Sequence, residues 1–388
     1  MKKILKITII GNNADGILTF RGPLIQDLIS RGHHIILYFP YEKKYIDQIE
    51  ELRLLCQSIR FLPLKRSGLD PIYDLVSLIT IIKYLLIDRP DVVISYSIKP
   101  SIYGSIAAKL ANIPKIISVI TGLGYSFYNN NLKQRVINVI VRTLLKISLK
   151  FCNKVIFFNN DDRIYFIRSN IINIERSFVI NGSGVIINTG PNQQGGKTNK
   201  KVFYFLDPFL KPITFLMAAR FLKEKGIYEY LSACKYLKQK YNNIRFYLAG
   251  KPDDNPSSLS LNVVREIASS SRVDLLGYID LSEIMKEVSV YVLPSYREGL
   301  SRSILEAMAM GRPIITTDAP GCKETVINGY NGIIVPVKNI EALIKAMEKF
   351  ILNPNLIKKM GKSSRKLVEK CFDANKINEI MITLIEKE

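Results

Sequence analysis

Short runs of branched apolar residues alternate with stretches of helical spacing along almost the whole chain, and no other feature narrows its architecture so far. Residues 7–10, 35–39, 91–95 and 115–120 read as strands. Residues 23–30, opened by Pro23 and closed by Gly32, read as a helix, as do residues 103–110. The alternation restarts past residue 201, with strands expected over 213–218, 244–249 and 288–293 and a helix over 228–238. Strands that are apolar throughout are buried on both faces, which a parallel sheet covered by helices on each side provides. The class is α/β.

Between the two series lies a polar, aperiodic, turn-rich stretch at 188–200, which reads as a linker. A chain of 388 residues has room for two domains of ~100–200 residues. The expected division is a first domain over 1–187 and a second over 200–372. Each is a doubly wound, Rossmann-like unit that would bind ligands at the carboxyl ends of its strands, the two facing a cleft.

Composition closes several routes. His33 and His34 are the only histidines, so a His-rich zinc site is excluded. Cys56, Cys152, Cys234, Cys322 and Cys371 form no CxxC pair, which argues against a disulfide framework and fits a reducing compartment. The opening Met-Lys-Lys-Ile-Leu-Lys is interrupted by Lys6 and reads as the approach to a first strand, not a signal peptide. Residues 116–132 carry no charge but include Gly122, Gly124 and three asparagines, so they are no membrane span. Gly195-Gly-Lys-Thr198 has the tail of a P-loop without its first glycine or its preceding strand, and reads as basic linker. Gly11 to Gly16 forms a glycine-flanked turn where backbone can approach a ligand closely.

The chemistry concentrates in Pro294-Ser-Tyr-Arg-Glu298-Gly-Leu-Ser301 and the helical stretch that follows it to Gly311-Arg-Pro313. Ser301 is placed as an N-cap and Gly311 as the residue that ends the helix. Amides at such a helix start suit a phosphate, and Glu306 within it can accept hydroxyl hydrogen bonds. Upstream, Arg220 and Lys225-Gly226 follow the first strand of the second domain, where a guanidinium fork and an ammonium can clamp a diphosphate.

These residues resemble the retaining glycosyltransferases of family 4, which have the GT-B architecture of two Rossmann-like domains. The likeness rests on Glu298 and Glu306 in their setting and on Arg220…Lys225-Gly226. It continues through Ala249-Gly250, Gly321-Cys-Lys-Glu-Thr-Val326 and Asn331-Gly332, with weaker marks at Phe20-Arg21, Lys99-Pro100 and Thr121-Gly-Leu-Gly-Tyr125. It implies that Arg220 and Lys225 hold the donor diphosphate, that Glu306 binds the ribose, and that Glu298 meets the sugar, with Gly250, Gly299, Leu300 and Ser301 lining the donor. By the same likeness Glu298, Arg220 and Lys225 serve catalysis, and Gly16, Arg21, Lys99, Thr121 and Gly122 belong to first-domain loops at the cleft. A C-terminal helix, about 373–388, is expected to cross back to the first domain. Many members have histidine where Thr121 stands, so a histidine-assisted step is not expected. The Thr-Gly-Leu-Gly-Tyr form resembles the branch that builds bacterial O-antigen, lipopolysaccharide, capsule or N-glycan precursors on undecaprenyl diphosphate. The chain lacks any Asp-x-Asp, and the expected reaction needs no metal and no cofactor beyond a UDP-sugar as donor substrate.

Charge sets the expected partners. Lys and Arg number 55 against 34 Asp and Glu, a formal charge of +21. Between Asp91 and Asp161 there are nine Lys or Arg and no acid. Residues 132–150 read as a basic amphipathic helix whose Arg135, Arg142, Lys146 and Lys150 would meet an anionic leaflet. The resulting expectation is a cytoplasmic enzyme, peripheral on the inner face of the bacterial plasma membrane. It would move a sugar, an N-acetylhexosamine by the likeness, from a UDP-sugar to a polyprenyl-diphosphate-linked acceptor. The alternatives are a UDP-sugar epimerase of the same architecture and a basic nucleic-acid-binding protein, against which stands the lack of any nucleic-acid module.

Overall fold

The computed structural model describes residues 3–65, 68, 70–123, 132–188, 202–208 and 210–387. The linker stretch beyond Asn188, the Gly195–Thr198 segment, and Gly124 and Tyr125 lie outside the described residues. The chain divides into two compact units, residues 1–183 with 375–388, and residues 184–374.

The first unit holds a seven-stranded sheet. Its strands are β1 (Lys6–Ile10), β2 (His34–Phe39), β3 (Ser58–Phe61), β4 (Val92–Tyr96), β5 (Lys115–Ile120), β6 (Lys154–Phe157) and β7 (Ser177–Val179). They lie in the order β3-β2-β1-β4-β5-β6-β7, and every pairing is parallel. The order reverses between β1 and β4, the switch point at which doubly wound sheets bind ligands. Ile7, Ile9, Ile10, Val93 and Ile94 are fully buried, as strands covered on both faces require.

One helix departs from expectation. It spans Ala14–Ser30, so it begins well before Pro23, which lies inside it. Asn13 caps it, its side chain accepting from the Gly16 amide at 2.7 Å, and Gly16 therefore sits in the first helical turn. The buried stripe Ala14, Ile17, Arg21, Leu24, Ile25 and Leu28 runs unbroken past the proline. A buried arginine within that stripe is what hid its continuity, because the hydrophobic pattern stops at a charge.

The last helix, Ala374–Glu386, docks on the first unit. Asn378 donates to Asp27 at 2.7 Å, Arg31 pairs with Glu379, and Lys154 donates to the Leu384 carbonyl at 2.9 Å.

The second unit carries β8 (Ile186–Ile187) and β9 (Val202–Phe203) as a small pair. Its main sheet comprises β10 (Ile213–Ala218), β11 (Ile244–Ala249), β12 (Asp274–Gly277), β13 (Val290–Leu293), β14 (Ile314–Thr317) and β15 (Gly332–Val335). The order is β12-β11-β10-β13-β14-β15, again all parallel, with the reversal between β10 and β13. The helix after β13, Arg302–Ala309, ends in a Schellman motif. Gly311 sits at φ +79 and donates to the Met308 carbonyl, and Arg312 donates to that of Ala307. Arg312 is wholly buried and donates to the carbonyls of Met285 (2.7 and 3.2 Å) and Leu206 (2.8 Å). Burial lowers its pKa to about 10, so it stays a cation at neutral pH.

Candidate active site

The second unit gathers its expected site residues on loops at the carboxyl ends of adjacent strands. Arg220, Lys225 and Gly226 follow β10, Gly250 follows β11, and 294–301 follow β13. The switch point thus falls between the loop with both expected cations and the loop with Glu298.

Main-chain contacts fix these loops to one another. The Glu224 carbonyl accepts from the Tyr296 amide at 2.8 Å and the Ser295 hydroxyl at 3.1 Å. Phe221 donates to Lys251 at 2.9 Å, and Lys223 to Ser257 at 3.2 Å. Gly226 has φ +77, and a Cβ there would stand 2.1 Å from the Pro294 carbonyl oxygen. Glycine is required at this position by torsion and by space alike.

The charges are held in pairs. Lys225 Nζ lies 2.5 Å from Glu298 Oε1, both side chains largely sheltered, and the Glu298 amide donates to Pro320 at 2.8 Å. Arg220, half exposed, donates through Nη1 to Asp253 Oδ2 at 2.7 Å. Glu306 accepts from Arg302 Nε at 3.0 Å one helical turn away. Ser301 is the N-cap residue of its helix, but its hydroxyl makes no capping bond and lies 3.3 Å from that of Ser303. Two neighbours register the common field of these groups. Burial raises the Tyr291 phenol, and Glu306 and Glu298 push it the same way. The Cys322 thiol is raised to about 12 by burial and by Glu298, and Lys225 acts in the opposite direction. Both thiol and phenol therefore stay protonated. Asp253 and Arg302 are additions to the expected set. Arg302 was readable from its i,i+4 spacing to Glu306, whereas Asp253 had no sequence signal, because its partner stands on another strand's loop.

In the first unit the expected residues divide. Thr121 Oγ1 is 3.1 Å from Ser97 Oγ, joining the ends of β5 and β4. Ser97 has φ 77 and ψ 169, a conformation close to glycine-only, directly ahead of the helix Ile98–Leu110. Arg21 is buried, its guanidinium carbon 4.0 Å from the Tyr96 ring centre and 5.2 Å from that of Phe158. Lys99 Nζ is 2.9 Å from Asp74 Oδ1, both sheltered, so this cation ties two helices together instead of facing outward. Gly122 follows at φ +137. On the basic helix, Leu132–Leu149, the residues Arg135 and Lys146 are exposed, as is Lys150 just beyond it. Arg142 leans on the Tyr165 ring at 5.6 Å.

Two doubly wound parallel sheets in one chain, with paired cations and carboxylates at a switch point, define the GT-B class of fold. Residues 201–367 match the family described as Glycosyl transferases group 1, and residues 6–160 match Glycosyl transferase 4-like. Together these take in most of the sequence, and the chain belongs to this family of glycosyltransferases. It is 29% identical over 362 residues, 93% of each chain, to the N,N'-diacetylbacillosaminyl-diphospho-undecaprenol alpha-1,3-N-acetylgalactosaminyltransferase of Campylobacter jejuni. It is 25% identical, over 84% of each chain, to the UDP-Gal:alpha-D-GlcNAc-diphosphoundecaprenol alpha-1,3-galactosyltransferase of Escherichia coli. In fold it resembles the Anabaena protein HepE in complex with UDP-glucose, with a TM-score of 0.75 and 16% identity over 99% of this chain and 100% of that one. The sucrose-phosphate synthase of Thermosynechococcus elongatus is also similar, with a TM-score of 0.76 and 19% identity over 98% of each chain.

Proposed function

We propose that the chain is a retaining, metal-independent transferase. It moves an N-acetylhexosamine from its UDP donor to a saccharide carried on a polyprenyl diphosphate, in the assembly of a bacterial surface polysaccharide or glycan. The observation that carries the reading is the Lys225–Glu298 pair across the β10/β13 switch point, with Arg220 on the loop after β10 and Glu306 on the helix after β13, in a chain whose relatives are named for undecaprenyl-diphosphate acceptors.

The paired charges suggest how such a site works. Glu298 holds the Lys225 ammonium in place. A diphosphate arriving beside Lys225 brings greater negative charge, draws the ammonium to itself and leaves the Glu298 carboxylate to accept from sugar hydroxyls. Asp253 keeps Arg220 aimed in the same way, and Glu306 accepts from the ribose. Cations already in position stabilise the leaving diphosphate without reorganising at the moment of reaction, so they take the part of a metal ion. The basic helix Leu132–Leu149 turns the first unit toward an anionic leaflet, on the cytoplasmic side where nucleotide sugars are found.

The test is direct. The purified protein is incubated with UDP-N-acetylgalactosamine, UDP-N-acetylglucosamine or UDP-galactose and a detergent-dispersed polyprenyl-diphosphate N-acetylhexosamine, with and without EDTA. The expected product is a lipid-linked disaccharide with a new α-linkage, formed equally in EDTA. Epimerised nucleotide sugar without acceptor, or no transfer from any donor, overturns the reading.

A further inference from the structure

The helix Pro71–Asp88 is built inside out. Its two acids point into the protein: Asp74 meets Lys99 at 2.9 Å, and Asp88 accepts from Arg60 at 2.8 Å and from the Tyr38 hydroxyl at 2.7 Å. Burial raises the Asp88 pKa, but the bonds from Arg60 and Tyr38 outweigh it and hold the group below the usual carboxylate range, so it stays ionised. Ser77, Ile81 and Leu85 fill the rest of that inner face. The outer face carries Ile72, Leu75, Val76, Ile79, Leu86 and Ile87, each between 46% and 75% exposed. Their spacing keeps all six within one stripe of an α-helix. The stripe's one charge is Lys83.

The neighbourhood of this stripe is cationic. The right-handed crossover rule places the helices that follow β3, β4 and β5 on the same side of the first sheet. The helix Ile98–Leu110 packs against both Pro71–Asp88 and Leu132–Leu149, so the outer faces of those two look the same way. Lys109, Arg135, Lys146 and Lys150 are exposed around them, with Val136, Val139 and Ile147 among them. Between Asp91 and Asp161 no acid interrupts the positive field.

We infer that Pro71–Asp88 is the apolar anchor with which the first unit enters an anionic bilayer, lying in the plane of the interface. Six exposed aliphatic side chains supply the buried area, Lys83 reaches back to the headgroups, and the flanking cations meet the anionic lipids. The helix does not cross the membrane: its acids are bonded to the protein's own interior, and no helix among the described residues is long and apolar enough to span. A second copy of the chain is a poorer occupant, because a two-fold contact would set Lys83 and the flanking cations against themselves. The inference rests on the reading that the acceptor is held on a lipid. It assigns the insertion to this helix and leaves to the basic helix only electrostatic attraction.

The experiment compares the wild-type protein with two combined variants by co-sedimentation on phosphatidylglycerol–phosphatidylethanolamine vesicles. One is Leu75→Ser, Val76→Ser, Ile79→Ser and Leu86→Ser; the other is Arg135→Ser, Lys146→Ser and Lys150→Ser. Because every substitution lies in the first unit, far-UV circular dichroism and a thermal unfolding midpoint close to that of the wild type, rather than UDP binding, confirm that each is folded. The first variant should bind vesicles roughly tenfold or more weakly than wild type, and its remaining binding should vanish at about 1 M salt, where the Debye length is ~3 Å. The second should weaken binding at low salt yet keep the wild type's salt-resistant fraction. Wild-type affinity in the first variant overturns the inference, as does wild-type protein that ignores vesicles or forms a dimer which the serine substitutions dissolve. Transfer to the detergent-dispersed acceptor is scored separately. Its absence in every protein would count against the transferase reading, whereas unchanged vesicle binding would count against the anchor alone.

Discussion

Two residues share one backbone torsion, φ 77, and their surroundings show how the two units differ. Gly226 in the second unit and Ser97 in the first each stand between a switch-point strand and the helix that follows it. At Gly226 the neighbouring loop's carbonyl comes so close that no side chain fits. At Ser97 a side chain is retained in spite of the torsion, and its hydroxyl meets that of Thr121. The second unit brings main chain against main chain and fixes its charges in pairs on the result, the arrangement on which the proposed diphosphate clamp relies. The first links its strand ends through the hydroxyls of Ser97 and Thr121 and holds Arg21 against the Tyr96 and Phe158 rings, so side chains rather than main chain make the contacts there. Under the proposed function, one fold serves two kinds of recognition.

The comparison can be broken most severely at Gly226. Gly226→Ala should cost about 2–6 kcal/mol of stability, backbone strain and overpacking each contributing on the order of 1–3. Thermal unfolding reads this, and an unchanged Tm would mean that the two loops do not need their close approach. Next come the cations. Lys225→Ala should weaken UDP binding by about 1.5–3 kcal/mol, and half-exposed Arg220→Ala should fall toward the lower end of that range. Carboxylates follow. Glu306→Gln should cost about 1 kcal/mol in UDP affinity, since an amide replaces one acceptor with a donor. Glu298→Gln should chiefly lower kcat, and full turnover in that variant would remove its sugar-facing role. The smallest effect on stability belongs to Ser97→Gly. It should stay within about 1 kcal/mol of wild type, because relief of strain offsets the greater freedom of the unfolded chain. Its mark should be a raised KM for the acceptor at unchanged UDP affinity.

The sequence announced the strands well because those of both sheets are apolar along their length, and it announced the second-unit loops because Glu298, Ser301 and Gly311 carry the punctuation of a strand–loop–helix. What it hid had physical causes. Buried Arg21 broke the hydrophobic stripe and moved the first helix's apparent start to Pro23. Asp253 and Ser97 take their meaning from partners on other strands, which spacing along the chain does not reveal. The helix Pro71–Asp88 is apolar nearly all round, so its pattern could not tell which face is covered. The partners of Asp74 and Asp88, with the burial of Ser77, Ile81 and Leu85, identify the inner side. The place of Arg312 in the core follows from its three bonds to main-chain carbonyls, which no spacing along the chain announces.

The central claim, that the nucleotide is held by the second unit's charges, is tested most directly by titrating UDP calorimetrically into three full-length proteins side by side. These are the wild type, the Arg220→Ala/Lys225→Ala double variant and the Ser97→Ala/Thr121→Ala double variant. The account predicts that the first double variant loses at least roughly tenfold in affinity, in line with the net worth of charge-assisted hydrogen bonds, while the second binds as the wild type does. Equal affinity in the Arg220/Lys225 variant, with weakened binding in the Ser97/Thr121 variant, would place the nucleotide on the first unit and contradict the account.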